Sequence, residues 1–345
     1  MIFLFLTSGL FLGWSLGAND AANIFGTAVG TRMLRFLTAA IIASVFVILG
    51  AVFQGEGASE TLGELGKVNA IAGSFCITLA AAVTVFLMTR FAIPVSASQA
   101  VVGAIIGWNL FTGHPTDMNT LTAITSTWVL SPLLGAVFAI ILYLLVKFIT
   151  TRIRIHLLYL DALIRFGLII AGAFGAFSLG ANNIANVMGV YVSAIPLKSI
   201  SIFGLFTLNG AQQLFFLGGV AIAIGILTYS RRTMQTIGSN LMKLSAEAAI
   251  VVVLALALVL FVFSSTSLQQ FLVSLGLPPI PMVPVSSSHA VIGAIIGIGL
   301  LKGGRGIRYR IMGHVAAGWV ATPVIAGVIA FFLLYVMKQV FQLAV

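Results

Sequence analysis

Long apolar runs separated by short polar breaks dominate the chain. They fall at 1–30, 36–54, 68–89, 91–108, 121–149, 166–193, 200–229, 244–264, 281–301 and 311–340. Each is near or above the roughly 20 residues a helix needs to cross a bilayer. The pattern predicts an all-α, polytopic membrane protein, a helical bundle of about 10–12 crossings. The long first and sixth runs, and those with internal proline, point to broken or re-entrant helices.

Composition narrows the class further. Of 345 residues 60% are hydrophobic and only 7% charged, against about 25% charged in a soluble domain. A water-soluble globule is excluded. Seventeen Lys+Arg against seven Asp+Glu give a net charge of +10, but these charges sit in short clusters between apolar runs, which excludes a nucleic-acid surface. The clusters are Arg32 and Arg35; Lys147, Arg152, Arg154 and Arg165; Arg231, Arg232 and Lys243; and Lys302, Arg305, Arg308 and Arg310. The positive-inside rule makes them cytoplasmic and puts both termini outside. Glu56, Glu60 and Glu64 then read as a solvated outer loop. One cysteine, Cys76, excludes an intrachain disulfide and a multi-cysteine metal site. The apolar start has no charged n-region, so it reads as the first crossing rather than a cleaved leader.

The chain repeats itself. SLGANDAANIFG at Ser15 returns at Ser178 as SLGANNIANVMG, eight of twelve positions identical. PVSASQAVVGAIIG at Pro94 returns at Pro284 as PVSSSHAVIGAIIG, eleven of fourteen identical. Trp128 and Pro132 are echoed by Trp319 and Pro323. Equivalent loops carry opposite charge character, which predicts two inverted repeats, 1–150 and 166–345, joined by a basic cytoplasmic linker, 151–165. Inverted repeats of this kind build midplane transport sites.

Polar residues interrupt the apolar runs at matching places. Asn19, Asp20 and Asn23 correspond to Asn182, Asn183 and Asn186. Such groups are costly in hydrocarbon and belong in a bundle interior, where they serve either as interhelical hydrogen-bond glue or as a site. Their oxygens suit a hard cation such as sodium. Gly17 before them permits local unwinding. The two Pro-Val-Ser segments read as helix N-termini inside the membrane, carrying Ser96, Ser98 and Gln99 in one half and Ser286, Ser287, Ser288 and His289 in the other. Exposed backbone N–H groups and the helix dipole there favour an anion, and two such ends suit a compact tetrahedral oxyanion. Glu247, alone in its run, is a weaker candidate for a coupling carboxylate. The Gly103/Gly107 and Gly293/Gly297 spacings predict close-packing faces.

On these paired motifs the chain resembles the inorganic phosphate transporter (PiT) family of secondary permeases over nearly its whole length. The resemblance implies phosphate uptake coupled to sodium or protons, inverted halves and a homodimer. It also implies cation ligation by Asn19, Asp20, Asn23, Asn182 and Asn186, and phosphate contacts from Ser96, Ser98, Gln99, Ser286, Ser288 and His289. The chain departs from the family's pattern at Asn183, where aspartate is usual. Some relatives carry sulfate, which makes a sulfate or other oxyanion permease the alternative. The chain lacks the large hydrophilic central loop of eukaryotic relatives, so a prokaryotic inner membrane is expected. An enzyme using His289 as nucleophile or base is the rival from another class; no second histidine, acid or metal cluster stands beside it. No catalytic residue and no cofactor beyond the coupling ion is expected.

Overall fold

The computed structural model describes residues 2–66, 68, 70–91, 95–152, 156–202, 206–240, 244–304 and 308–345. Pro94, Arg154, Lys243 and Arg305 lie outside the described residues. The first half contains α1 (Ile2–Gly30), α2 (Phe36–Gln54), α3 (Glu56–Gly66), α4 (Ile71–Arg90), α5 (Ala97–Thr112) and α6 (Met118–Arg152). The second contains α7 (Leu157–Val192), strands β1 (Ile200–Ile202) and β2 (Phe206–Leu208), then α8 (Gly210–Asn240), α9 (Ala246–Ser264), α10 (Thr266–Ser274), α11 (Ser287–Leu301) and α12 (Tyr309–Gln339).

Eight of these helices, α1, α2, α4, α6, α7, α8, α9 and α12, are long and apolar enough to span a membrane. Residues 95–96 and 277–286 instead lead, without helix, into α5 and α11, of 16 and 15 residues. At 1.5 Å per residue these are roughly 24 and 22 Å long, short of the hydrocarbon thickness of about 30 Å. Ser96 and Ser286 cap them by accepting from the Gln99 and His289 backbone N–H groups, so both helices start inside the protein, as expected.

Three local expectations are corrected. Helices α1 and α7 run unbroken through their Asn-rich motifs; the interruptions fall at the Pro-Val-Ser segments. The start of the 200–229 run is an antiparallel hairpin, pairing Ile200 with Leu208, because its alternation of apolar and hydroxyl residues has a period of two. The acidic stretch at 56–66 is a helix, α3, in which Ala58, Ser59, Leu62 and Leu65 are buried while Glu56, Glu60 and Glu64 are exposed.

Glycine explains how the long helices meet. In lipid, helix association has no hydrophobic drive of its own and depends on close backbone packing. Gly17 lies on the Ile222 backbone and Gly225 on that of Trp14, locking α1 to α8. Gly180 lies on Val47 and Gly50 on Phe177, locking α7 to α2 in the same manner. Gly103 packs on Pro323 and Gly293 on Pro132, joining α5 to α12 and α11 to α6. The close-packing role expected of these glycines holds, whereas Gly17 serves close approach, not unwinding. Equivalent helices run antiparallel: along α1, Ser8, Asp20 and Phe25 meet Tyr191, Asn183 and Gly172 of α7. Along α2, Ser44, Ile48 and Gly55 meet Ala223, Gly219 and Phe215 of α8.

The outward faces are apolar. Leu37, Ile41, Val45, Leu49 and Phe53 form an exposed stripe on α2, four residues apart as a lipid-facing ridge requires. We expect Gly17→Val to lower stability by about 1–3 kcal/mol through overpacking, read as a lower melting midpoint in detergent. Gly63→Ala, at a glycine with nothing within 4 Å, should leave the midpoint unchanged or slightly raised.

Candidate functional site

The Asn-rich stretches of α1 and α7 cross where α5 and α11 begin, and the thirteen residues singled out there are all buried. Asn19, Asp20 and Asn23 are 1–3% exposed and Asn182, Asn183 and Asn186 at most 1%. The structure brings both sets together with Ser96, Ser98, Gln99 and the 286–289 segment, and it does so through hydrogen bonds that repeat in the two halves.

Two kinds of bond recur. Within each half, an asparagine holds the extended chain ahead of the short helix: Asn19 Nδ2 donates to the Val95 carbonyl at 3.4 Å, Asn182 Nδ2 to the Val285 carbonyl at 2.7 Å. Asn182 Oδ1 also accepts from the Val285 N–H at 2.8 Å. Between halves, Asn23 Nδ2 donates to Ser287 Oγ at 2.9 Å and Ser288 Oγ at 3.1 Å, and Asn186 Nδ2 donates to Ser98 Oγ at 3.0 Å. The serines close the circuit, Ser288 Oγ donating to the Val95 carbonyl at 3.0 Å and Ser98 Oγ to the Val285 carbonyl at 3.5 Å. The last is at the outer limit of a hydrogen bond.

These bonds assign part of the cluster to structure. A hydroxyl has one proton, and Ser98 and Ser288 give theirs to carbonyls of the opposite half. Asn182 spends its amide on Val285 and on Asn183 Oδ1, 3.0 Å away. The hydrogen-bond glue considered from the sequence is therefore real for Asn182, while other oxygens remain open. Asp20 Oδ1 and Asn186 Oδ1 are buried with no hydrogen-bond partner, as are Gln99 Oε1 and His289 Nε2. Buried unpaired acceptors cost free energy; a cation, or a donor on a ligand, repays it. Asp20 Oδ2 accepts from Asn183 Nδ2 at 2.9 Å, so the one polar position at which the repeated motifs differ pairs with its own counterpart.

His289 is fixed more firmly than its position suggested. Its Nδ1 lies 3.0 Å from the Trp128 carbonyl oxygen and its ring centroid 3.8 Å from that of Trp319. The Trp/Pro echo thus has a physical role that the sequence did not disclose. Two other features carried no signal: the Val95 and Val285 backbone groups, and a triangle of buried hydroxyls joining α1, α4 and α7. In it Ser8 Oγ lies 2.7 Å from Thr78 Oγ1 and 2.8 Å from the Tyr191 hydroxyl.

Glu247 is not part of the site. Gly167 of α7 packs on Ile250 and Gly175 on Ala257, a register that places Glu247 level with Arg165. That is 18 residues before Asn183, or roughly 27 Å along α7. Glu56, Glu60 and Glu64 line a separate cavity of about 650 Å³ with Gly189, Val192 and Phe215. Among the described residues no group of three or more His, Cys, Asp or Glu side chains is placed to hold a metal; a site for a monovalent ion built from Asn and Asp oxygens is of a different kind.

A buried polar site between two repeated sets of membrane helices defines a multi-pass permease. The phosphate transporter family model matches residues 16–275 and 280–344, and the chain belongs to that family. It is 26% identical to a Pyrococcus furiosus protein with a provisional phosphate-permease name, over 93% of this chain and 92% of that one. It is 28% identical to the sulfate permease CysP of Bacillus subtilis, over 94% of this chain and 84% of that one. The fold matches a solved structure described as the sodium-dependent phosphate transporter, with a TM-score of 0.78 at 20% identity, covering 98% of this chain and 99% of the other.

Asn182→Ala would leave the N–H of Val285 unpaired and its carbonyl with only the long bond from Ser98. Each lost buried partner costs about 1–3 kcal/mol, so its melting midpoint should fall clearly below wild type. Ser15→Ala removes a buried hydroxyl that has no partner, so its melting midpoint should stay at or rise above that of wild type.

Proposed function

We propose that the protein takes up inorganic phosphate together with sodium, by alternating access around the Asn/Asp/Ser cluster shared by two inverted halves. The observation that carries this reading is the pair of reciprocal bonds Asn23 to Ser288 and Asn186 to Ser98. Each ties the Asn-rich helix of one half to the short-helix start of the other, so a shift of one half against the other must remake the site. The cation sits against Asp20 and Asn186, whose unpaired oxygens suit sodium. The anion sits at the starts of α5 and α11, where backbone N–H groups, the Ser96 and Ser286 hydroxyls, Gln99 and His289 supply neutral contacts. With no Lys or Arg in the cluster, the anion is held weakly enough to leave. The basic loops favour an orientation with both termini outside, and the short linker between the halves favours a prokaryotic inner membrane.

A sulfate permease is the second reading, favoured by the CysP similarity. The geometry of His289 supports phosphate over it. A carbonyl oxygen only accepts, so Nδ1 donates to Trp128 and the neutral ring presents Nε2 as an acceptor. Gln99 Oε1 is a second unpaired acceptor. Hydrogenphosphate has a P–OH proton to offer them; sulfate has none near neutral pH.

Uptake of labelled phosphate into proteoliposomes, with sodium and proton gradients collapsed in turn, tests the reading. Accumulation against a gradient that stops only when sodium is equalised is expected. Sulfate uptake that excess phosphate does not inhibit would reject the phosphate assignment, and release of phosphate from an added phosphate ester without accumulation would favour an enzyme. Asp20→Asn should abolish sodium-driven accumulation in a protein that still inserts and melts cooperatively. His289→Phe removes one acceptor worth about 1–1.5 kcal/mol, so the phosphate-over-sulfate uptake ratio should fall roughly tenfold.

A further inference from the structure

We propose that the groove between α5 and α12 holds one anionic phospholipid, with an acyl chain lying along the groove and the headgroup phosphate meeting Lys338. The inference goes beyond the permease reading and does not depend on it.

The groove comes from how the two helices pack. They run parallel, Gly103 against the Pro323 backbone and Gly107 against that of Gly327. Small residues bring the backbones together and leave no side chain to fill the outer side of the seam. A groove of about 380 Å³ results, and its nine lining residues are all apolar, among them Ile106, Leu110, Val324 and Phe331. That is the size of a ligand pocket, roughly 300–1,000 Å³. At the repeat-equivalent of Gly327 stands Ala136, so the copied seam between α11 and α6 carries a methyl group where this groove has bare backbone. Leu110, Val324 and Val328 are exposed and α12 is a membrane span, so the groove opens to acyl chains and not to water. Its far end carries charge. Phe331 lies edge-on to Phe111 with ring centroids 5.3 Å apart, and Lys338 Nζ lies 5.6 Å from the Phe111 centroid. Val324, Phe331 and Lys338 are seven residues apart and share one face of α12. Among the described residues no carboxylate pairs with Lys338. A lysine near a helix end extends its ammonium to the interface, where phospholipid phosphates lie. Basic residues beside pockets between membrane helices select headgroups of net negative charge; a zwitterionic headgroup brings an ammonium of its own to compete. One molecule can make both contacts, since Pro323 to Lys338 spans roughly 22 Å, the depth of one leaflet with its headgroups.

Native mass spectrometry of the delipidated protein, titrated with phosphatidylglycerol and separately with phosphatidylethanolamine, tests this. One tightly held phosphatidylglycerol per chain is expected, bound ahead of phosphatidylethanolamine. Lys338→Ala should weaken phosphatidylglycerol binding roughly fivefold and leave phosphatidylethanolamine unchanged. Val328→Trp fills the groove and should abolish the tight site for both lipids. Val320→Trp, at an exposed α12 position away from the groove, should change neither. Equal phosphatidylglycerol binding by wild type, Lys338→Ala and Val328→Trp would mean annular lipid only and would overturn the proposal. A lipid-free dimer that Val328→Trp splits would also overturn it and give the groove to a second copy of the chain. If Val328→Trp fails to fold, Lys338→Ala decides alone.

Discussion

A polar group inside hydrocarbon has to find its partner within the protein, and this constraint organises the whole molecule. Each half puts three amide or carboxylate residues on one long helix and a run of hydroxyls at the start of one short helix. Neither half satisfies its own set. Asn23 needs Ser288, Asn186 needs Ser98, and both serines discharge their protons on carbonyls of the opposite half. The halves are therefore bound by what each lacks. The glycine contacts of α1 with α8 and of α7 with α2 seat the two Asn-rich helices closely against their neighbours.

Symmetry at this centre is incomplete, and the departures are where chemistry enters. Asp20 faces Asn183 in place of a second carboxylate, and His289 replaces Gln99. The hydroxyl triangle of Ser8, Thr78 and Tyr191 ties α1, α4 and α7 together; at the repeat-equivalent positions of Ser8 and Tyr191 stand Ala171 and Ala28. The two ends of the α1/α7 pair are therefore held by different contacts.

Much of this was readable from the residues, because hydrophobicity and repetition are both expressed directly in sequence. The apolar runs located the helices, and the paired motifs located the buried polar cluster down to Ser98, Ser288, Asn23 and Asn186. What stayed hidden has physical reasons. A glycine beside a polar motif fits both an unwound turn and a close backbone contact, and only the Ile222 backbone distinguishes them at Gly17. An acidic stretch reads as a loop until Leu62 and Leu65 are seen to be buried beneath it. Glu247 looked eligible because one-dimensional position carries no depth. The carbonyls of Val95 and Val285 and the Trp128 carbonyl held by His289 belong to the backbone, which is the same at every residue.

The central claim is that both halves contribute to one buried anion site at the starts of α5 and α11. A structure of the protein with arsenate, a heavier tetrahedral oxyanion, tests this most directly. Density within hydrogen-bond reach of both the Ser96–Gln99 and the Ser286–His289 turns is what the account predicts. Density held by a single half, or lodged in the cavity beside Glu56, Glu60 and Glu64, would contradict it.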